Sequence, residues 1–173
     1  MKYMLMLTLL TLTVVLGVGP AFGQGASGAG PKKARVPADY QPRTLSEVAA
    51  MGNAGGRAGK ESGVVLFGDL LPSRVRVTYG GSTRPLSGTR KGVLHEWAQN
   101  FAGAPTHYTA HYVAEALFLE GGTQHWLAVD PLKLGKELTQ GEALDLFVIR
   151  LASIGSARER EWLILVESFQ KQP

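Results

Sequence analysis

The chain contains no cysteine among its 173 residues. That absence removes structural disulfides, thiolate metal sites, a cysteine nucleophile and a lipid-modified cysteine anchor together. A domain without disulfides depends on its apolar core, so it has to be of ordinary size rather than a mini-protein. Long apolar runs are also scarce. Beyond the N-terminal segment, none is apolar over the roughly 20 residues that a membrane-spanning helix needs. No period of about 20 to 50 residues repeats, which argues against solenoids and propellers. Aromatic residues make up 8%, and they do not interleave with the basic stretches as base stacking would require, so no nucleic-acid partner is expected.

What is present begins with a leader-like pattern. Lys2 precedes an uncharged apolar run from Met4 to Val18, and Ala21 and Gly23 lie three and one positions before Gln24. This layout predicts a signal peptide over 1–23, cut before Gln24, and an exported protein, periplasmic or secreted, with no transmembrane helix after cleavage. The run is shorter than the roughly 20 residues of a spanning helix. Residues 24–43 are rich in Gly, Ala, Pro and Lys, and read as a flexible tether. Residues 44–62 read as a short helix and a Gly-rich loop, and 63–173 as one domain.

Charge is uneven. From Gln24 to Gly92 there are eleven Lys/Arg against four Asp/Glu; from Val93 onward there are six against ten. A basic front half suits an anionic partner, while the same charges can simply solvate a linker.

Periodicity places the elements. Thr44 and Glu47 have capping-box spacing for a helix of about two turns that shares Leu45 and Val48 on one face. VVLF (64–67) and RVRVTY (74–79) read as strands, the second with Val75, Val77 and Tyr79 on one side and Arg74, Arg76 and Thr78 on the other. Gly80-Gly81 predicts a tight reversal. A helix follows in TRKGVLHEWAQNFAG, ending at Gly103. Gly121-Gly122 predicts a hairpin that pairs Glu120 with Thr123 and Phe118 with His125. Strands over 142–152 and 161–169 complete the pattern. Several antiparallel strands, short turns and one amphipathic helix predict a mainly β (α+β) fold, a small, partly closed antiparallel β-barrel of the SH3-like or OB-like kind. The expected core includes Val75, Val77, Leu94, Trp97, Phe101, Leu117, Phe118, Trp126, Leu127, Leu146, Val148, Trp162, Ile164 and Val166.

Catalytic patterns fail one by one. In MGNAGGRAGKES (51–62) the Gly59-Lys60 pair suggests a phosphate loop, but Ala54 replaces the first glycine and Glu61 the magnesium-binding hydroxyl. No Gly-x-Ser-x-Gly is present. HEWAQ, residues 95–99, resembles the His-Glu-x-x-His signature of zinc metalloproteases at His95 and Glu96, but Gln99 replaces the second histidine. His107, His111 and Glu115 are each four apart. In a strand they lie too far apart for one ion; in a helix the first two could chelate, but Pro105, Thr106 and Thr109 argue against a helix there. No metal site and no cofactor are expected.

One positive feature remains, a basic surface of Arg74, Arg76, Arg84, Arg90 and Lys91, able to grip an anion through charge-assisted hydrogen bonds. The function expected from the sequence is an exported cell-envelope binding or assembly module without catalytic activity. Its partner would be an acidic envelope component or another envelope protein. The alternative is a hydrolase, metal-dependent or not, with a site around His95 and Glu96.

Overall fold

The computed structural model describes residues 35–173, except 52–55, 61, 135–137 and 157–158. The expected signal peptide, and the expected tether as far as Ala34, lie outside the described residues. Residues 35–43, read above as the end of that tether, are instead part of the domain. The Arg35 guanidinium donates to both oxygens of Glu167 at 2.6 and 2.7 Å. The Tyr40 hydroxyl donates to the same carboxylate at 2.6 Å, and its ring meets Phe147 edge-on at 5.0 Å. Strand β1 (Gln41–Pro42) then runs parallel to Ser73 and Arg74. Linker-like composition is overridden here because a distant strand satisfies the backbone, through Gln41 N–H to Pro72 O and Arg43 N–H to Arg74 O.

Helix α1 (Leu45–Ala50) is capped as its sequence predicts. Thr44 Oγ1 accepts from Glu47 N–H at 3.0 Å, and the Glu47 carboxylate accepts from Thr44 N–H at 2.7 Å. Leu45 and Val48 are fully buried beneath it. Strands β2 (Gly56–Ala58) and β3 (Val64–Phe67) form a small antiparallel pair.

Strand β4 (Ser73–Pro85) corrects an expectation. Gly80-Gly81 do not reverse the chain. They form a bulge, with the register shifting between Tyr79 and Thr83. Gly81 takes φ +78°, and a Cβ there would meet the Gln140 side chain at 2.8 Å, so a left-handed glycine bends the strand instead of ending it. The bend lets one strand serve two neighbours, as the ladders described below require.

Helix α2 (Gly88–Trp97) continues as a five-residue π-turn over Ala98–Ala102, and Gly103 ends it. Helix α3 (Pro105–His111) is a second correction. Pro105 occupies the first turn, where its missing N–H is not needed. Tyr108 packs edge-on against Trp97 at 5.2 Å and stacks with Tyr112 at 6.0 Å. This packing outweighs the weak helix propensity of Thr106 and Thr109.

The remaining elements are β5 (Ala114–Glu120), β6 (Thr123–Val129), a turn of helix α4 (Pro131–Leu134), β7 (Ala143–Gly155) and β8 (Arg160–Lys171). The β5–β6 hairpin has the predicted register, Glu120 with Thr123 and Phe118 with His125. Gly121 and Gly122 both have positive φ, as a two-residue hairpin turn requires.

Five strands close on themselves in the order β4-β5-β6-β8-β7 and back to β4, with β1, β3 and β2 as additions to the sheet. Ser73–Thr78 pair with β7, and Thr78–Pro85 with β5. The chain crosses from β6 to β7 without pairing them, so the barrel is a Greek key of the OB-like kind rather than a meander. One contact in the ring is parallel, β6 with β8, and it consists of the single pair Ala128–Leu165.

Two cores follow from strand alternation. Inside the barrel, Val75, Val77, Phe118, Leu127, Leu146, Val148, Ile164 and Val166 pack together with Leu45 and Val48 of α1. Outside it, Leu94, Trp97 and Ala98 of α2 pack on Ala128, Ile149, Leu151, Leu163 and Leu165. Each fully buried Val, Leu, Ile or Phe contributes on the order of 1.5–3 kcal/mol relative to exposure. Among the described residues no helix is long and apolar enough to cross a membrane.

Candidate functional site

The five basic residues singled out in the sequence do not form one surface. Arg74 and Arg76 project from the first half of β4 into solvent, Arg76 within 3.3 Å of Asp145 with its side chain 75% exposed. Lys91 is exposed on α2. Arg84 and Arg90 converge elsewhere, on Glu115 of β5.

Glu115 is buried, its side chain 1% exposed. One carboxylate oxygen accepts from Arg90 Nη1 at 2.7 Å and the other from Arg84 Nε at 2.8 Å. Arg90 also donates to Glu161 at 2.9 Å and to the Trp162 carbonyl at 3.3 Å. A carboxylate removed from water needs such partners, and two guanidinium groups supply them. Ser87 caps α2 by accepting from Arg90 N–H at 3.3 Å, which fixes where this arginine enters the network.

Beside the network lies a groove of about 410 Å³. It opens where β6 and β8 run side by side without a ladder, ahead of their one contact at Ala128–Leu165. Its lining includes Arg84, Arg90, His125, Trp126, Arg160 and Trp162, and α1 supplies Leu45, Ser46 and Ala49. The Arg84 guanidinium lies 4.1 Å from the centre of the Trp126 ring, and Arg160 lies 5.9 Å from that of Trp162. These are cation–π distances, and they hold charge beside each indole. His125 Nε2 is buried in the lining with no hydrogen-bond partner. A second cavity, of about 400 Å³, shares Arg90 and Glu161 with the groove.

The wall behind Trp162 is stiffened by Arg150. This buried arginine donates to the Ala49 and Met51 carbonyls at the end of α1, at 3.2 and 2.6 Å, and its guanidinium lies 4.1 Å from the Phe67 ring and 5.2 Å from the Trp162 ring. Burial pulls its pKa below the ordinary arginine value, with nearby Asp69 opposing the shift. The bonds to the last carbonyls of α1 match a cation to the negative end of the helix.

His95 and Glu96 take other places. His95 is exposed on α2. Both Glu96 oxygens accept from the Lys60 backbone N–H, at 3.0 and 3.2 Å. A backbone donor of the phosphate-loop-like segment is thus spent on a carboxylate of the same chain. Neither His95 nor Glu96 lines the groove.

No family model, curated protein or solved structure matches this chain. The reading of function therefore rests on the groove itself.

The sequence places Trp126 and Trp162 in the expected core and does not single out Arg160. Both tryptophans are half-buried and line the groove instead. Expected core members Phe101 and Leu117 are likewise half-buried. One sequence signal pointed to the network: Glu115 is a lone acid in the apolar run AEALF, where a buried carboxylate demands a cation.

Proposed function

We propose that the protein is a non-catalytic binding module of the cell envelope, acting outside the cytoplasm, and that its ligand occupies the groove between β6 and β8. The observation that carries this reading is the pairing of two half-buried indoles with arginines in one open cavity. Indole faces stack on the apolar faces of sugar rings, and guanidinium groups take carboxylates in bidentate fashion. The ligand class these side chains suit is an acidic saccharide. OB-like barrels commonly use the face of their second and third strands for oligosaccharides or oligonucleotides, and this groove shares the third of these, β6, an analogy of fold alone. The hydrolase alternative gains nothing from Glu96, whose oxygens already serve the Lys60 N–H.

Titration with uronic-acid oligosaccharides and with neutral oligosaccharides of the same length, followed by tryptophan fluorescence, tests the reading. Saturable binding of the acidic series, lost in Trp126→Ala, supports it. Absence of binding in both series sinks it, and moves the weight to assembly with another envelope protein.

A further inference from the structure

Helix α3 brings two histidines onto one face. Because Pro105–His111 is helical, His107 and His111 lie one turn apart on the same face, with ring centres 4.7 Å apart. We infer that this pair is a binding site for a divalent late transition-metal ion, with copper(II) as the strongest occupant.

Two imidazoles sharing an ion at about 2.1 Å per nitrogen have ring centres about 4.5–5.2 Å apart for angles between square and tetrahedral. The observed separation falls inside that window without rearrangement of the helix. A second feature points the same way. His111 Nδ1 lies 3.1 Å from Asp130 Oδ2, and an ionised carboxylate only accepts hydrogen bonds, so Nδ1 carries the proton. That tautomer leaves the Nε2 lone pair for a metal. A carboxylate behind the ring also fixes its orientation, as at established histidine–metal centres. Asp130 is itself held: it is 4% exposed, and its other oxygen accepts from Leu132 N–H at 3.0 Å.

The site is open to solvent. His107 is exposed and the His111 side chain is 43% exposed. Among the described residues no group of three His, Cys, Asp or Glu forms a metal cage, so water or an outside ligand completes the coordination. Two imidazoles with open positions hold best the ion at the top of the divalent series, which is copper(II). An open two-histidine site exchanges its ion readily, which suits capture or transfer rather than structure.

The test is titration of the metal-free full chain with copper(II), read by electron paramagnetic resonance with calorimetry in parallel. The expected result is one ion per chain, a spectrum with hyperfine structure from two imidazole nitrogens, and affinity lowered at least tenfold in both His107→Ala and His111→Ala. His95→Ala, an exposed histidine on α2 outside the groove, should bind as the wild type does. His107 is exposed, so His107→Gln serves as a second variant if the alanine lowers stability, checked by circular dichroism. Wild-type affinity in either His107 variant, or a wild-type spectrum identical to that of copper in buffer, overturns the inference.

Discussion

The two ends of β4 carry arginines that look alike in sequence and behave as opposites. At its start, Arg74 and Arg76 alternate with buried valines and stand in solvent, where Asp145 offers Arg76 one long contact. At its end, Arg84 joins Arg90 on a carboxylate that solvent hardly reaches. The strand passes from β7 to β5 at Thr78, just ahead of the bulge at Gly80-Gly81, so its first half lies along β7 and its second along β5. Charge on a strand says little by itself. The neighbouring strand decides whether an arginine solvates a surface or sustains a buried acid.

That contrast can be broken first at the acids. Glu115→Ala leaves Arg90 buried without its main partner, and should cost about 3–5 kcal/mol in urea unfolding. Asp145→Ala should cost less than about 1 kcal/mol, since its arginine partner is exposed. Equal losses would end the distinction. Ligand binding sharpens it next. Arg160→Ala should weaken acidic-saccharide binding about tenfold, on the order of 1.4 kcal/mol. Arg74→Glu with Arg76→Glu should leave that binding within about twofold. If the double variant abolishes binding and Arg160→Ala does not, the exposed half of β4 is the contact surface.

Alkali provides a third arm, at the intermediate Arg35–Glu167 pair. Burial and the hydrogen bond to Glu167 raise the Tyr40 pKa well above the ordinary tyrosine value, and burial followed by the Glu167 charge raises that of Tyr112. A raised tyrosine pKa means the unfolded chain loses its proton first. The stabilisation is complete below about pH 10 and is lost as pH rises further. Melting temperature should therefore fall above about pH 10, and fall less steeply in Tyr40→Phe and Tyr112→Phe. A parallel decline in all three proteins would contradict this. The smallest effect belongs to Arg74→Ala, expected within about 0.5 kcal/mol of the wild type in the same urea assay.

Much of the fold was legible where its determinants are local. The Thr44–Glu47 cap, the end of α2 at Gly103 and the register around Gly121-Gly122 each depend on residues within a few positions. The misreadings share another cause. Gly80-Gly81 has hairpin chemistry, but β5 and β7 hold the chain on both sides of it and turn the reversal into a bulge. Helix α3 forms because Tyr108 finds Trp97, which no propensity scale contains. The groove is hardest to foresee. It arises from a parallel contact between strands far apart in sequence, so nothing near Trp126 or Trp162 marks them as lining residues. The basic residues were visible, but their division between two neighbourhoods was not.

Strand β4 also sets the order of events when the chain folds. The β5–β6 and β7–β8 pairs are each joined through short connections, and each can form with little loss of loop entropy. The ring closes only when β4 engages both, which matches Ser73 with Val148 and Pro85 with Ala114. That step fixes a long intervening chain before its contacts repay the cost, so it should govern the rate, as stopped-flow refolding can check. Substitutions at Val75 or Val77 should slow folding, and those at Trp126 should mainly speed unfolding. The strand that bends to serve two neighbours is the clasp of the barrel.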